Sequence, residues 1–100
     1  MDALNKQLRG NILQMMSNIS PTAAEENAII AAYYQYHKPS DIRRSLQYLV
    51  DSGYLNKTKC PHPYMRLEKI TRYTISPKGI NLLEGDASDV GIVVFPDEEM

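Results

Sequence analysis

A chain of 100 residues has room for one domain and one modest core, not for a cofactor domain beside a substrate domain. Its 43% hydrophobic and 23% charged content excludes an intrinsically disordered chain, and its single cysteine excludes an internal disulfide. The net charge of −1 conceals a segregation, since residues 1–36 sum to −1, 37–72 to +5 and 73–100 to −5; a basic middle and an acidic tail point to a charged partner.

No stretch approaches the roughly 20 consecutive apolar residues of a membrane span. The opening Met1-Asp2-Ala3-Leu4-Asn5-Lys6 lacks the basic region and apolar run of a secretory signal. A reducing, cytoplasmic location is the expectation.

The first predicted element is a helix over 3–17, capped by Asp2. Leu4, Leu8, Ile12, Met15, Met16 and Ile19 fall on one face of a 3.6-residue period, and Gly10 weakens it from within. Thr22-Ala23-Ala24-Glu25 fits a capping box, hydroxyl at N-cap and carboxylate at N3, so a second helix is expected from there through Ile29, Ile30, Tyr33 and Tyr34. Glu25 and Glu26 read as first-turn charges favoured by the helix dipole. The Tyr33, Tyr34 and Tyr36 cluster is assigned to packing between the second and third helices. The helix stops before Pro39.

A third helix is predicted from Asp41 to about Ser52, with Ser40 as cap and Gly53 as the residue just past its end. Ile42, Leu46, Leu49 and Val50 make its apolar stripe. Arg44, Gln47, Tyr48 and Asp51 point away from that stripe, and Arg43 lies at its edge. After Gly53 the rhythm changes. Residues 54–57 read as a short strand, 59–66 as a proline-containing loop and 67–75 as an alternating strand, together a hairpin. A short fourth helix follows, with Ser76 as cap, Pro77 at its first position and Gly85 at its end. The acidic remainder, with Asp86, Asp89, Asp97, Glu98 and Glu99, surrounds an apolar run at 90–95. Permanent exposure of that run would invite aggregation, so docking or association is expected.

This order of elements, mainly α with a β-hairpin, is that of a winged helix-turn-helix domain at 1–85, followed by a tail at 86–100. The stretch from Asp41 to Leu55, DIRRSLQYLVDSGYL, resembles the recognition helix and first wing strand of ArsR/MarR-like winged-helix regulators. Tyr73 to Gly85, YTISPKGINLLEG, resembles the second wing strand and following helix of the same group. The opening Asp2 to Arg9 is similar to small winged-helix proteins of Mu-like phages. The resemblance covers about residues 2–85. It implies a sequence-specific DNA-binding protein, a phage or prophage transcriptional regulator, with its recognition helix in the major groove and its wing on the backbone. A winged helix also serves as a protein-interaction module, and this is the alternative.

The residues themselves supply a matching chemistry. Arg43, Arg44, Gln47 and Tyr48 are the types that read base edges from a helix in the major groove. Ser40 and the helix N-terminus suit a phosphate. Lys57, Lys59, Arg66, Lys69 and Arg72 give the hairpin five positive charges against one negative, Glu68. Double-stranded DNA is therefore the expected partner and a homodimer the expected state, because such regulators read two half-sites. The first helix also carries more apolar positions than a three-helix core readily consumes, and that helix, the tail or both form the expected interface; the alternative is a monomer whose tail folds back over its own first helix.

Cys60-Pro61-His62 places two soft-metal ligands close together, with His37 elsewhere. A structural zinc site needs four ligands, and the pair is read as a loop thiol and a loop imidazole, without a metal or other cofactor. No phosphate-binding glycine loop, nucleophile elbow or zinc-protease motif occurs, so the expectation is a binding protein rather than an enzyme.

Overall fold

The computed structural model describes residues 2–85 and 87–94. Asp86, Phe95, Asp97, Glu98 and Glu99, all invoked for the acidic tail, lie outside the described residues. Four helices and three strands run in the order α1 Asp2–Ile19, β1 Ala24–Glu25, α2 Glu26–Tyr33, α3 Pro39–Asp51, β2 Leu55–Pro61, β3 Lys69–Ile75 and α4 Pro77–Leu83. The strands form one antiparallel sheet ordered β1-β3-β2. Three helices, a hairpin after the third and a short strand between the first two give the winged helix-turn-helix arrangement. No helix is long and apolar enough to cross a membrane among the described residues.

The core is a single cluster. Leu8, Ile12, Leu13 and Met16 of α1 are wholly buried against Ile29, Ile42, Leu46 and Leu49 of α2 and α3, with Tyr54, Leu55, Tyr73, Ile75 and Leu82 closing it. The α3 stripe read from sequence is thus the one buried, with Val50 at its margin. On α1 the apolar face is wider than expected, because Leu13 is also buried, while Leu4 at the N-terminal end is 57% exposed. Asp2, expected as a cap, is itself the first helical residue.

Two start signals are corrected. Thr22 to Glu25 does not form a capping box. Ala24 and Glu25 pair instead with Tyr73 and Arg72 of β3, and α2 begins one residue later with no side-chain cap. The third strand position satisfies backbone groups that a cap would otherwise have had to reach, and it sends the Glu25 carboxylate to Arg72, 3.9 Å away. Likewise α3 starts at Pro39, whose fixed φ suits the first helical position, so Lys38 holds the cap position and Ser40 lies inside the first turn.

The end of α3 follows the sequence. Gly53 has φ 87°, a left-handed conformation that glycine adopts at no steric cost. The Gly53 N–H donates to the Val50 carbonyl at 3.0 Å and the Tyr54 N–H to the Leu49 carbonyl at 2.8 Å. These two bonds make a Schellman cap. Ser76 then ties the base of the hairpin. Its hydroxyl donates to the Gly53 carbonyl at 2.6 Å and accepts from the Gly79 N–H at 3.1 Å, capping α4. The hairpin is more regular than expected at its start. β2 extends to Pro61, and the connecting turn occupies 62–68, because the ladder continues through Cys60↔Ile70 and Pro61↔Lys69. Pro61 is tolerated there because β2 is an edge strand.

The tyrosine cluster does not pack between α2 and α3. Tyr34 and Tyr36 are exposed, and Tyr33 turns to α1, where its hydroxyl donates to the Asn11 carbonyl at 3.1 Å.

The described part of the C-terminal segment lies on α1 of its own chain. Ile92 is buried, Val93 and Val94 are half-buried, and the Val93 N–H donates to the Lys6 carbonyl at 3.1 Å. Apart from the exposed Leu4, the apolar face read on α1 is therefore covered within one chain. Gly10 explains how: a Cβ there would collide with the Val93 carbonyl oxygen. The glycine that weakens the helix by propensity is the one that lets the segment approach.

Gly10→Ala should accordingly destabilise the protein by roughly 1–3 kcal/mol, as an overpacked site does. In an ordinary helix the same change gains about 0.5–1 kcal/mol. Urea unfolding checks this by a change of sign. The substitution should lower the midpoint of the full-length chain and raise it in a chain ending at Ser88.

Candidate nucleic-acid interface

The residues singled out from sequence fall into three groups. On α3, Ser40, Arg43, Arg44 and Gln47 are exposed. The polar ends of Arg43, Arg44 and Gln47 are already engaged within the chain. Arg43 Nε donates to Glu26 Oε2 at 3.2 Å, Arg44 lies 3.7 Å from Asp41 one turn back, and Gln47 Nε2 donates to Asp51 Oδ1 at 2.8 Å. Exposed pairs of this kind hold their partners weakly, typically by less than about 1 kcal/mol, so a stronger ligand can displace them.

On the hairpin, directly paired residues project to the same face of the ladder. The register pairs Lys57 with Tyr73, Lys59 with Thr71 and Pro61 with Lys69. Lys57, Lys59 and Lys69 therefore share one face with Tyr73. From that face the Tyr73 hydroxyl donates to Glu26 Oε1 at 2.9 Å. Glu26 thus bridges β3 to Arg43 of α3, on the ladder face that carries the three lysines. Burial, then the hydrogen bond to the negatively charged Glu26, pushes the Tyr73 hydroxyl well above its ordinary range, so it stays a donor. Among the described residues, Lys57, Lys59, Arg66 and Lys69 enter no ion pair. Arg72 pairs with Thr58 in the ladder and so lies on the opposite face, beside Glu25.

Tyr48 stands apart from both groups. It is half-buried rather than directed to solvent. The Arg9 guanidinium sits 4.1 Å from its ring centroid, and its hydroxyl donates to Asp89 Oδ1 at 3.0 Å. Asp89 also accepts from the Tyr54 hydroxyl at 2.7 Å and the Gly91 N–H at 2.8 Å. Arg9 Nη1 completes the cluster by donating to the Gly91 carbonyl at 2.8 Å. This network joins α1, the back of α3 and the C-terminal segment. Nothing in the sequence pattern separates Tyr48 from its exposed neighbours, since its partners lie some forty residues away in the chain.

His62 has a role that the reading of Cys60-Pro61-His62 missed. Its Nδ1 accepts from the Tyr64 N–H at 3.0 Å and the Met65 N–H at 3.1 Å, fastening the hairpin turn. No group of three His, Cys, Asp or Glu side chains is placed to hold a metal among the described residues. A groove of about 780 Å³ between α1, α4 and residues 87–94 is lined by Gln14, Ser17, Leu83, Glu84 and Ile92 among others. Among the described residues it is lined by no basic side chain and by none of those singled out for nucleic acid. Comparison with protein-family models, curated proteins and solved structures finds no match, so the winged-helix likeness rests on architecture.

The Asp89 network has a pH signature. Burial pushes the carboxyl upward, but the donors Tyr54, Gly91 N–H and Tyr48, with the charge of Lys78, outweigh it and hold the group below its ordinary 3.8. Its contribution to stability is therefore whole above that value and is lost as pH falls through the lower folded value. Asp89→Asn should cost roughly 1–3 kcal/mol at neutral pH by weakening charge-assisted bonds. Urea midpoints followed from neutral pH into acid should converge for the two proteins, because the variant has no such contribution to lose.

Proposed function

We propose that this protein binds double-stranded DNA as a sequence-specific winged-helix regulator of phage or prophage type, acting by occupancy rather than catalysis. The observation that supports the reading is the hairpin face of Lys57, Lys59 and Lys69, without an ion pair among the described residues and linked through Tyr73 and Glu26 to the exposed Arg43 of α3. Helix α3 would enter the major groove, where Arg44 and Gln47 read base edges once Asp41 and Asp51 release them. The lysines would neutralise phosphates, with Ser40 and the start of α3 near the backbone. Arg72 and Tyr48 contribute through position only, the first on the opposite ladder face and the second in the Asp89 network. Two copies on two half-sites remain part of the proposal. Their interface would lie outside the buried α1 stripe, and sedimentation of the free and DNA-bound protein measures the stoichiometry.

A second reading, a protein-interaction module, draws on the ion pairs of Arg43, Arg44 and Arg72, each of which lowers the field available to DNA. Fluorescence anisotropy with duplex DNA over a range of salt separates the two. Under the DNA reading, log affinity falls linearly with log salt. Combined replacement of Lys57, Lys59 and Lys69 by alanine then flattens the slope by about 0.9 per lost phosphate contact. Arg44→Ala with Gln47→Ala should narrow the gap between the preferred duplex and others. Glu26→Gln should tighten binding to every duplex by removing a negative charge. Salt-independent or absent binding favours the protein module.

A further inference from the structure

The end of the hairpin carries a feature that phosphate contact does not require. Tyr64 is 90% exposed, Met65 50% and Leu67 99%. A single exposed apolar side chain is ordinary, but here three fall within four residues on one turn, far from the core cluster. The turn is tied rather than loose. His62 Nδ1 accepts from the Tyr64 and Met65 N–H groups, the His62 N–H donates to the Glu68 carbonyl at 3.0 Å, and the Glu68 N–H donates to the Met65 carbonyl at 3.1 Å. The His62 and Tyr64 rings meet edge-on with centroids 6.2 Å apart, and Pro61 and Pro63 restrict the backbone on either side of His62. The apolar side chains are thus presented outward by a defined scaffold.

We infer that this turn is a wedge that enters the DNA minor groove, partly unstacks a base step and bends the duplex. The inference rests on the DNA reading of the lysine face. Charge complementarity selects the occupant. Arg66 stands between Met65 and Leu67, Lys69 begins the returning strand and Lys59 lies on the same ladder face, with Glu68 the sole acid of the turn. A cation set between apolar side chains at the end of a basic arm suits a groove walled by phosphates, where apolar side chains intercalate at base steps. An apolar protein groove would not call for that ring of positive charge. Leu67, the most exposed, is the inserting side chain, and Tyr64 supports it. His62 is a positioning residue that holds the turn in shape.

Ligase-catalysed circularisation of a fragment of about 100 bp tests this, because that length is shorter than the roughly 150-bp persistence length of DNA and closes poorly unaided. At saturating full-length protein in low salt, circle formation should rise by about tenfold or more. Leu67→Ala combined with Tyr64→Ala, with the fragment again saturated by the variant, should abolish most of that gain. Circular dichroism confirms that the variants fold. His62→Ala should lose bending with Tyr64 and Leu67 intact, and His62→Asn, whose Oδ1 can take the place of Nδ1, should restore it. Saturated DNA that circularises like free DNA, or variants that bend it like the unaltered protein, overturns the wedge and leaves the DNA reading standing. Absence of binding to any duplex overturns both, and the apolar turn then belongs to a protein contact.

Discussion

One long helix has to be covered on more than one side, and the rest of the molecule follows from that constraint. Leu8, Ile12 and Met16 of α1 meet the helical core, but Leu13 widens the buried arc and Gly10 extends it further. A three-helix unit with a hairpin covers only part of such an arc. The C-terminal segment supplies the remainder, and it can do so because position 10 lacks a side chain. Arg9, within the same arc, stacks on Tyr48 and donates through Nη1 to the Gly91 carbonyl, while its buried Nε has no partner among the described residues. The cover of α1 therefore also braces α3 from behind, through Tyr48 and Asp89.

A second junction sets the geometry of the outward face. Glu26 accepts from Tyr73 with one carboxylate oxygen and from Arg43 with the other. It joins sheet, second helix and third helix at one point. The arrangement orients the hairpin relative to α3, and it adds a negative charge, beside those of Asp41 and Asp51, to a surface rich in basic side chains. Orientation and affinity are thus set against each other in one residue. Any partner of this face meets a basic arm that is free and a basic helix that is partly neutralised.

What was legible in the sequence were the features determined locally. The α3 stripe, the glycine that ends α3, and Ser76-Pro77 at the start of α4 depend on neighbours within one or two turns. Thr22 to Glu25 misled because a local capping pattern competed with a strand partner nearly fifty residues away, and the long-range ladder won. Gly10 carried no signal beyond its poor propensity, because its use lies in a contact with Val93. His62 reads from sequence as no more than a loop imidazole, because its backbone partners appear only once the turn closes. Tyr48 shared the helical phase of polar residues, yet Asp89 and Arg9 draw it in. Of the candidate interface, the residue types and their approximate surface were legible. The division of the hairpin into two faces was not, because it depends on the register of the ladder.

The fastening at the base of the hairpin has a consequence for how such a protein can change. Ser76 binds the Gly53 carbonyl and caps α4 at once, so alterations there disturb several elements together. The far turn is held mainly by His62 and by its own backbone, and residues 63–67 contribute nothing to the core cluster. Mutational drift can therefore explore new chemistry at that turn while the fold is preserved. On α3, by contrast, Arg43 and Tyr48 are tied to Glu26 and Asp89, and a substitution at either perturbs contacts between elements. Evolvability in this architecture is unevenly distributed, with the freest ground at the end of the arm.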